Sequence, residues 1–236
     1  MKNEDETAKK IIMVDFAGTL IKSEMIEEAN EFRSKFLERS LPSSHEHANP
    51  KELYKANREF VENLTGILPN AKITYRENDL DFIELTGEEL QNQISTNLFQ
   101  IGMFMVAKEY KKNIYPKGFI EALKSVQAKG YNLAIVSGVR TDIISGMIAI
   151  SGIDLKFDYI YGQPPILGVE NEENMKMLKE KGKIYYVIGD KSSDLEPAKS
   201  LDAKSIFVTW GHASGGEKDI ADFTIDKPED ILKIIT

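Results

Sequence analysis

Three short apolar runs of this chain end in side chains that can do oxygen chemistry. Asp15 ends IIMVDF at 11–16, Ser137 ends NLAIVSG at 132–138, and Asp190 ends IYYVIGD at 184–190, with Asp194 four residues further on. Nearly continuous apolar runs of this length read as strands buried on both faces. In a parallel sheet their C-terminal ends share one edge, so the carboxylates converge there. Converging carboxylates repel one another and lose hydration, which is costly unless a divalent cation sits among them. Oxygen-only donors, in a chain with no cysteine and no histidine near these positions, suit Mg2+.

The elements that must position these groups follow from the pattern around them. Further apolar runs are FDYIYG at 157–162 and SIFVTWG at 205–211. Between the runs lie helical patterns. PKGFIEALKSVQAKG places Phe119, Ile120, Leu123 and Val126 on one face, with Pro116 before it and Gly130 as its stop. TDIISGMIAISG, EENMKMLKEKG, the short SDLEPAKSL and the closing PEDILKII are the others. Strands alternating with helices predict βαβ units and a doubly wound parallel α/β sheet.

Residues 23–112 break this alternation. EMIEEANEFRSKFLERS, PKELYKANREFVENLTG and the amphipathic GEELQNQISTNLFQIGMFMVAKEYKK have helical periodicity, with LPSSHEHANP as a loop by composition. The reading is a Rossmann-type core of residues 1–22 and 113–236 with an α-helical insertion at 23–112. Ligands of open parallel sheets bind at the C-terminal strand ends, so an insertion leaving after the first strand is expected to cap the site.

Composition narrows the partners. The chain has 236 residues and a formal net charge of −8, with a pI near 5.1. Acidic surfaces are poorly suited to nucleic acid or anionic membranes, which reward basic patches, so neither is expected as a partner. The absence of cysteine excludes disulfides and thiolate sites. The charged start, MKNEDETAKK, lacks the apolar stretch of a signal peptide. A cytoplasmic monomer or homodimer is the expectation.

The order of the strand-end motifs resembles the haloacid dehalogenase (HAD) superfamily. DFAGT at 15–19 is similar to its first motif, Asp-x-Asp-Gly-Thr, except in the third place; Ser137 in IVSG is similar to its second; GDKSSD at 189–194 is similar to its fourth. The tail, from DAKSIFVTWGHASGGEKDIADF onward, resembles the phosphoglycolate phosphatase-like branch, and the insertion looks like a helical C1-type cap. The resemblance implies Asp15 as a nucleophile forming an aspartyl-phosphate. It implies Mg2+ held by Asp15, the Ala17 carbonyl, Asp190 and Asp194. Ser137, with Gly138 and the backbone N–H groups of Phe16, Ala17 and Gly18, would hold the phosphoryl group. The family's third motif is a lysine. Its Lys-Pro signature is missing, GQPP at 162–165 standing where it is expected, and Lys176 is the candidate with Lys183 in reserve.

Ala17 is the main departure. The family's usual aspartate there protonates the leaving oxygen and then activates water, which an alanine cannot do; such a loss typically costs roughly 10²–10⁴ in rate. Three readings stay open. The protein is a phosphatase whose proton comes from another group or solvent, or whose substrate has a good leaving group. It is a C–P hydrolase, since D-x-A-G-T looks like the first motif of phosphonoacetaldehyde hydrolase, with Lys51 or Lys55 as a Schiff-base lysine. Or it is a catalytically weak binding protein. His45 and His47 form an H-x-H read as solvated loop, His212 reads as loop structure at the site's rim, and Trp210 as packing.

Overall fold

The computed structural model describes residues 9–39, 73–77, 81–85, 87–163 and 171–236. The chain divides into two compact units, Met1–Ile26 with Val106–Thr236, and Glu27–Met105.

The first unit is built on a six-stranded sheet. Its strands are β1 (Lys10–Val14), β4 (Tyr131–Arg140), β5 (Tyr159–Gln163), β6 (Lys183–Gly189), β7 (Lys204–Val208) and β8 (Phe223–Ile225), in the order β5-β4-β1-β6-β7-β8. Every neighbouring pair is parallel. The chain runs outward from β1 through β4 to β5, then returns to the other side of β1 and runs through β6 to β8. β1 is therefore the switch point, where an open α/β sheet forms its ligand crevice.

β1 is buried on both faces because its alternate residues serve two layers. Ile11 and Met13 pack with Ala134, Val136, Val187, Met175, Leu178 and Ala198, while Ile12 and Val14 are also fully buried. The helix Phe119–Ala128 turns Phe119, Ile120, Leu123 and Val126 inward, as the spacing predicts. Helices Thr141–Ser151 and Asn171–Lys179 complete the crossovers.

Three details differ from the expectation. β4 runs on to Arg140, and its ladder to β5 is interrupted between Val136 and Arg140, so Ser137 sits in a strand irregularity rather than at a strand end. SDLEPAKSL is two short helices, Ser192–Leu195 and Pro197–Ser200; Pro197 has no N–H to continue the first. β8 is too short, at 3 residues, to have produced an apolar run.

In the second unit, helices Ser23–Arg39 and Gly87–Tyr110 contribute most of the described residues. They meet closely at Gly102, where a Cβ would overlap the Ala29 carbonyl oxygen. The interval read as all-helical also holds a β-hairpin, β2 (Ile73–Glu77) antiparallel to β3 (Asp81–Leu85). ITYRE begins in the strand period, but DFIEL, with Phe82 beside Ile83, does not alternate, and both are short and lie among helical patterns. PKELYKANREFVENLTG, His45, His47, Lys51 and Lys55 lie outside the described residues.

Candidate active site

The site is assembled from the C-terminal end of β1 outward. Asp15 N–H still donates to Ile188 O of β6 at 2.9 Å, so its Cα is held in the sheet. The chain then folds back: Leu20 N–H donates to Asp15 O at 3.2 Å, Ile21 N–H to Phe16 O at 2.9 Å, and Gly18 N–H to Ile21 O at 3.0 Å. Gly18 takes φ +95°, a conformation that favours glycine. A Cβ there would also overlap the Asp190 carboxylate.

Asp190 is fully buried, and both of its oxygens are engaged. Thr19 Oγ1 donates to Oδ1 at 3.0 Å and His212 N–H donates to Oδ2 at 2.6 Å. Gly211 lies so close that a Cβ on it would meet the Asp190 side chain. The loop after β7 is tied down beside this contact. Trp210 Nε1 donates to Thr19 O at 3.1 Å, Ser23 Oγ donates to Trp210 O at 3.1 Å, and the indole packs edge-on against Phe119 at 5.4 Å. Asp194 is anchored within its own turn, where Lys191 N–H donates to its Oδ2 at 3.1 Å.

These constraints bring one carboxylate oxygen of each of Asp15, Asp190 and Asp194 within 4.8 Å of one another. Crowding of this kind has an electrostatic cost. Burial first, then the charges of Asp194 and Asp190, push Asp15 well above the usual carboxylate range. Burial, then Asp190, push Asp194 up to about 6. Repulsion of this kind is relieved by a small hard cation bound among the oxygens. The donor set fits Mg2+.

The other predicted residues fall as follows. Ser137 is buried on β4, two residues beyond the pairing of Ile135 with Val14, and its hydroxyl accepts from Val139 N–H at 3.4 Å. Gly138 is exposed next to it. The Phe16 side chain is wholly buried, so only its backbone is available to a ligand. Ala17 is partly exposed and bridges to Ile21 through its backbone.

The lysine expectations fare differently. Lys176 is exposed, whereas its helix turns Asn174, Met175 and Leu178 inward; the Asn174 amide donates to Gly162 O at 3.4 Å. Lys183 begins β6, paired with Lys10. At ~3.3 Å per residue in a parallel strand, it lies roughly 20 Å from the aspartate edge, which removes it from the site. Of GQPP, Gly162 and Gln163 are in β5 and the prolines lie outside the described residues.

Sequence reasoning placed His212 in a loop at the rim and Thr19 in the first motif but gave neither a partner, and it missed Glu217; all three act through hydrogen bonds that span long stretches of chain or use the backbone. Glu217 is buried and accepts from Ser214 N–H at 2.9 Å and Gly215 N–H at 2.8 Å, closing the loop that carries His212. Only the cluster of glycines in TWGHASGGE marked that loop as a close approach.

Comparison with known proteins agrees with this arrangement. A phosphoglycolate phosphatase from Aquifex aeolicus is 26% identical over 143 residues, 54% of this chain and 64% of that protein. Pyrophosphatase PpaX from Listeria monocytogenes is 27% identical over 129 residues, 50% of this chain and 58% of that protein. The matches thus span less than two thirds of these relatives' lengths. Among solved structures, a haloacid dehalogenase-like hydrolase from Streptococcus pneumoniae superposes with TM-score 0.59 at 17% identity, covering 98% of this chain and 100% of that one. A β-phosphoglucomutase from Clostridium difficile superposes with TM-score 0.57 at 16% identity, covering 94% and 93%. Both share the fold. The family model of haloacid dehalogenase-like hydrolases matches residues 9–202, a span that contains all three site aspartates, and the chain belongs to that family.

Proposed function

We propose that the protein is a Mg2+-dependent phosphatase acting on a small phosphorylated metabolite, with Asp15 as nucleophile. The observation that carries this reading is the convergence of Asp15, Asp190 and Asp194 within 4.8 Å at the sheet's switch point. Mg2+ would be held by Asp15, the Ala17 carbonyl, Asp190 and Asp194, and would neutralise phosphoryl charge there.

The chain's own groups do the rest. An Asp15 oxygen attacks phosphorus, and the bond from phosphorus to the leaving oxygen breaks with its electron pair. Ser137 and the backbone N–H groups of the Phe16–Gly18 turn hold the phosphoryl oxygens. The leaving oxygen takes its proton from solvent, because Ala17 has none to give. Water then attacks the phosphorus of the aspartyl-phosphate, releasing phosphate and restoring the Asp15 carboxylate. The insertion serves as the cap that selects the substrate.

Ala17 favours leaving groups that depart as weakly basic anions, such as a phosphate of an anhydride or an aryl oxide, over alkoxides. Of the two relatives, the pyrophosphatase is named for an anhydride of this kind, whereas phosphoglycolate is an alkyl ester.

The test is steady-state turnover with Mg2+ of an aryl phosphate, pyrophosphate and an alkyl phosphate. Wild type is expected to turn over the first two and to be far slower on the third. Asp15→Asn is expected to abolish turnover, and Ala17→Asp to speed the alkyl ester by roughly 10²-fold or more. Turnover appearing only in Ala17→Asp would overturn the reading, and phosphonoacetaldehyde with borohydride trapping would then test C–P cleavage.

A further inference from the structure

We propose that Lys191 supplies the positive charge that holds the phosphoryl group beside the aspartate cluster. This rests on the phosphatase reading above.

The need for such a charge is electrostatic. Three carboxylates and a phosphoryl dianion together outweigh one divalent cation, so the loaded site stays net negative without a further cation. Of the lysines first considered, Lys183 cannot meet that need. Lys183 is at the opposite end of β6, 3.7 Å from Asp202. Lys176 is on the exposed side of its helix. Arg140, near the end of β4, forms a two-pronged pair with Asp142, at 3.0 Å from Nε and 2.6 Å from Nη2.

Lys191 is placed differently. It directly follows the buried Asp190, and its extended backbone (φ −125°, ψ 156°) is pinned by the N–H bond to Asp194 Oδ2 at 3.1 Å. Its backbone is thereby tied to Asp194 and adjoins Asp190, while its side chain is exposed. Burial is the main cause of the upward shifts of Asp15 and Asp194, and the Lys191 charge opposes it at both. The residue has two separable roles. Its amide positions Asp194, which any side chain permits, and its ammonium is free to meet an incoming anion at the site's open side.

That separation makes the proposal testable by binding alone. Calorimetric titration of wild type, Lys191→Gln and Lys191→Arg would measure Mg2+ affinity, then affinity of the Mg2+-loaded protein for inorganic phosphate and vanadate. Glutamine keeps the backbone amide, so Mg2+ binding is expected to persist and to tighten as a neighbouring positive charge is lost. Phosphate and vanadate are expected to bind about tenfold or more weakly, the scale of a lost hydrogen bond to a charged group, and arginine is expected to restore most of the loss. Anion binding by Lys191→Gln within about twofold of wild type, as for an ineffective surface charge, would overturn the proposal. So would loss of Mg2+ binding in Lys191→Gln, or arginine behaving like glutamine. No anion binding by Mg2+-loaded wild type would instead sink the phosphatase reading, and the role of Lys191 with it.

Discussion

Asp194 shows what the site costs while empty of cation, and which way that cost runs with pH. Its carboxyl is raised from 3.8 to about 6 by burial and by Asp190, and Asp15 is raised by burial and by the charges of Asp194 and Asp190. A carboxyl with a raised folded-state pKa holds its proton longer in the native state. The penalty is therefore absent below the unfolded value and builds as pH rises through the folded one. Metal-free protein is expected to lose thermal stability between about pH 4 and pH 6 through Asp194. Asp194→Asn removes one carboxylate and relieves its neighbour. Its metal-free melting temperature is expected to exceed wild type's at neutral pH and to converge with it near pH 4, as differential scanning calorimetry across that range would show. A metal-free melting curve independent of Asp194 at every pH would contradict this repulsion.

At the scale of elements, the site depends on a loop that contributes no ligand. The segment after β7 reaches Asp190 through a backbone N–H, and Glu217 closes that segment by accepting from Ser214 and Gly215. Ser192 Oγ, in the turn that bears Asp194, also reaches Glu217 at 3.5 Å. Glu217→Ala is expected to speed hydrogen exchange at His212 and its neighbours, to lower the melting temperature, and to weaken Mg2+ binding while leaving all the ligands in place. Exchange at His212 unchanged by the substitution would show that Trp210 and Ser23 suffice to hold the loop. The same scale explains why β4 outruns its apolar run. The ladder to β5 is interrupted between Val136 and Arg140, so the strand continues past Ser137 through an irregularity rather than ending there.

For the whole molecule, the cation and the fold are linked. A ligand that binds only the native state stabilises it by about 2.7 kcal/mol at a hundred times its dissociation constant. For a chain of this size each kcal/mol moves the melting temperature by roughly 2–4 °C. Saturating Mg2+ at neutral pH is therefore expected to raise the melting temperature by roughly 5–10 °C, and a chelator to reverse it. Asp15→Asn is expected to show a smaller rise, because one ligand charge is gone. No helix among the described residues is long and apolar enough to cross a membrane.

The sequence by itself determined the order of the core strands β1 and β4–β7 with their crossover helices, the three aspartates and the serine, and the anomaly at Ala17, because these are written in local patterns, whereas the β2–β3 hairpin and β8 were not. Apolar runs bounded by Gly, Asp and Ser are legible residue by residue, and Gly18 announced its turn through its place in AGT. What only the tertiary structure decided is which groups meet. Thr19 reaches Asp190 across 171 residues of chain and Trp210 reaches Thr19 across 191. No local pattern records such contacts. The lysines show the same limit from the other side. Lys176 and Lys183 sit in acceptable sequence positions, but helix phase turns one outward and strand direction carries the other to the far edge. Lys191, concealed inside a motif read only for its aspartates, is placed by the turn that brings those aspartates together.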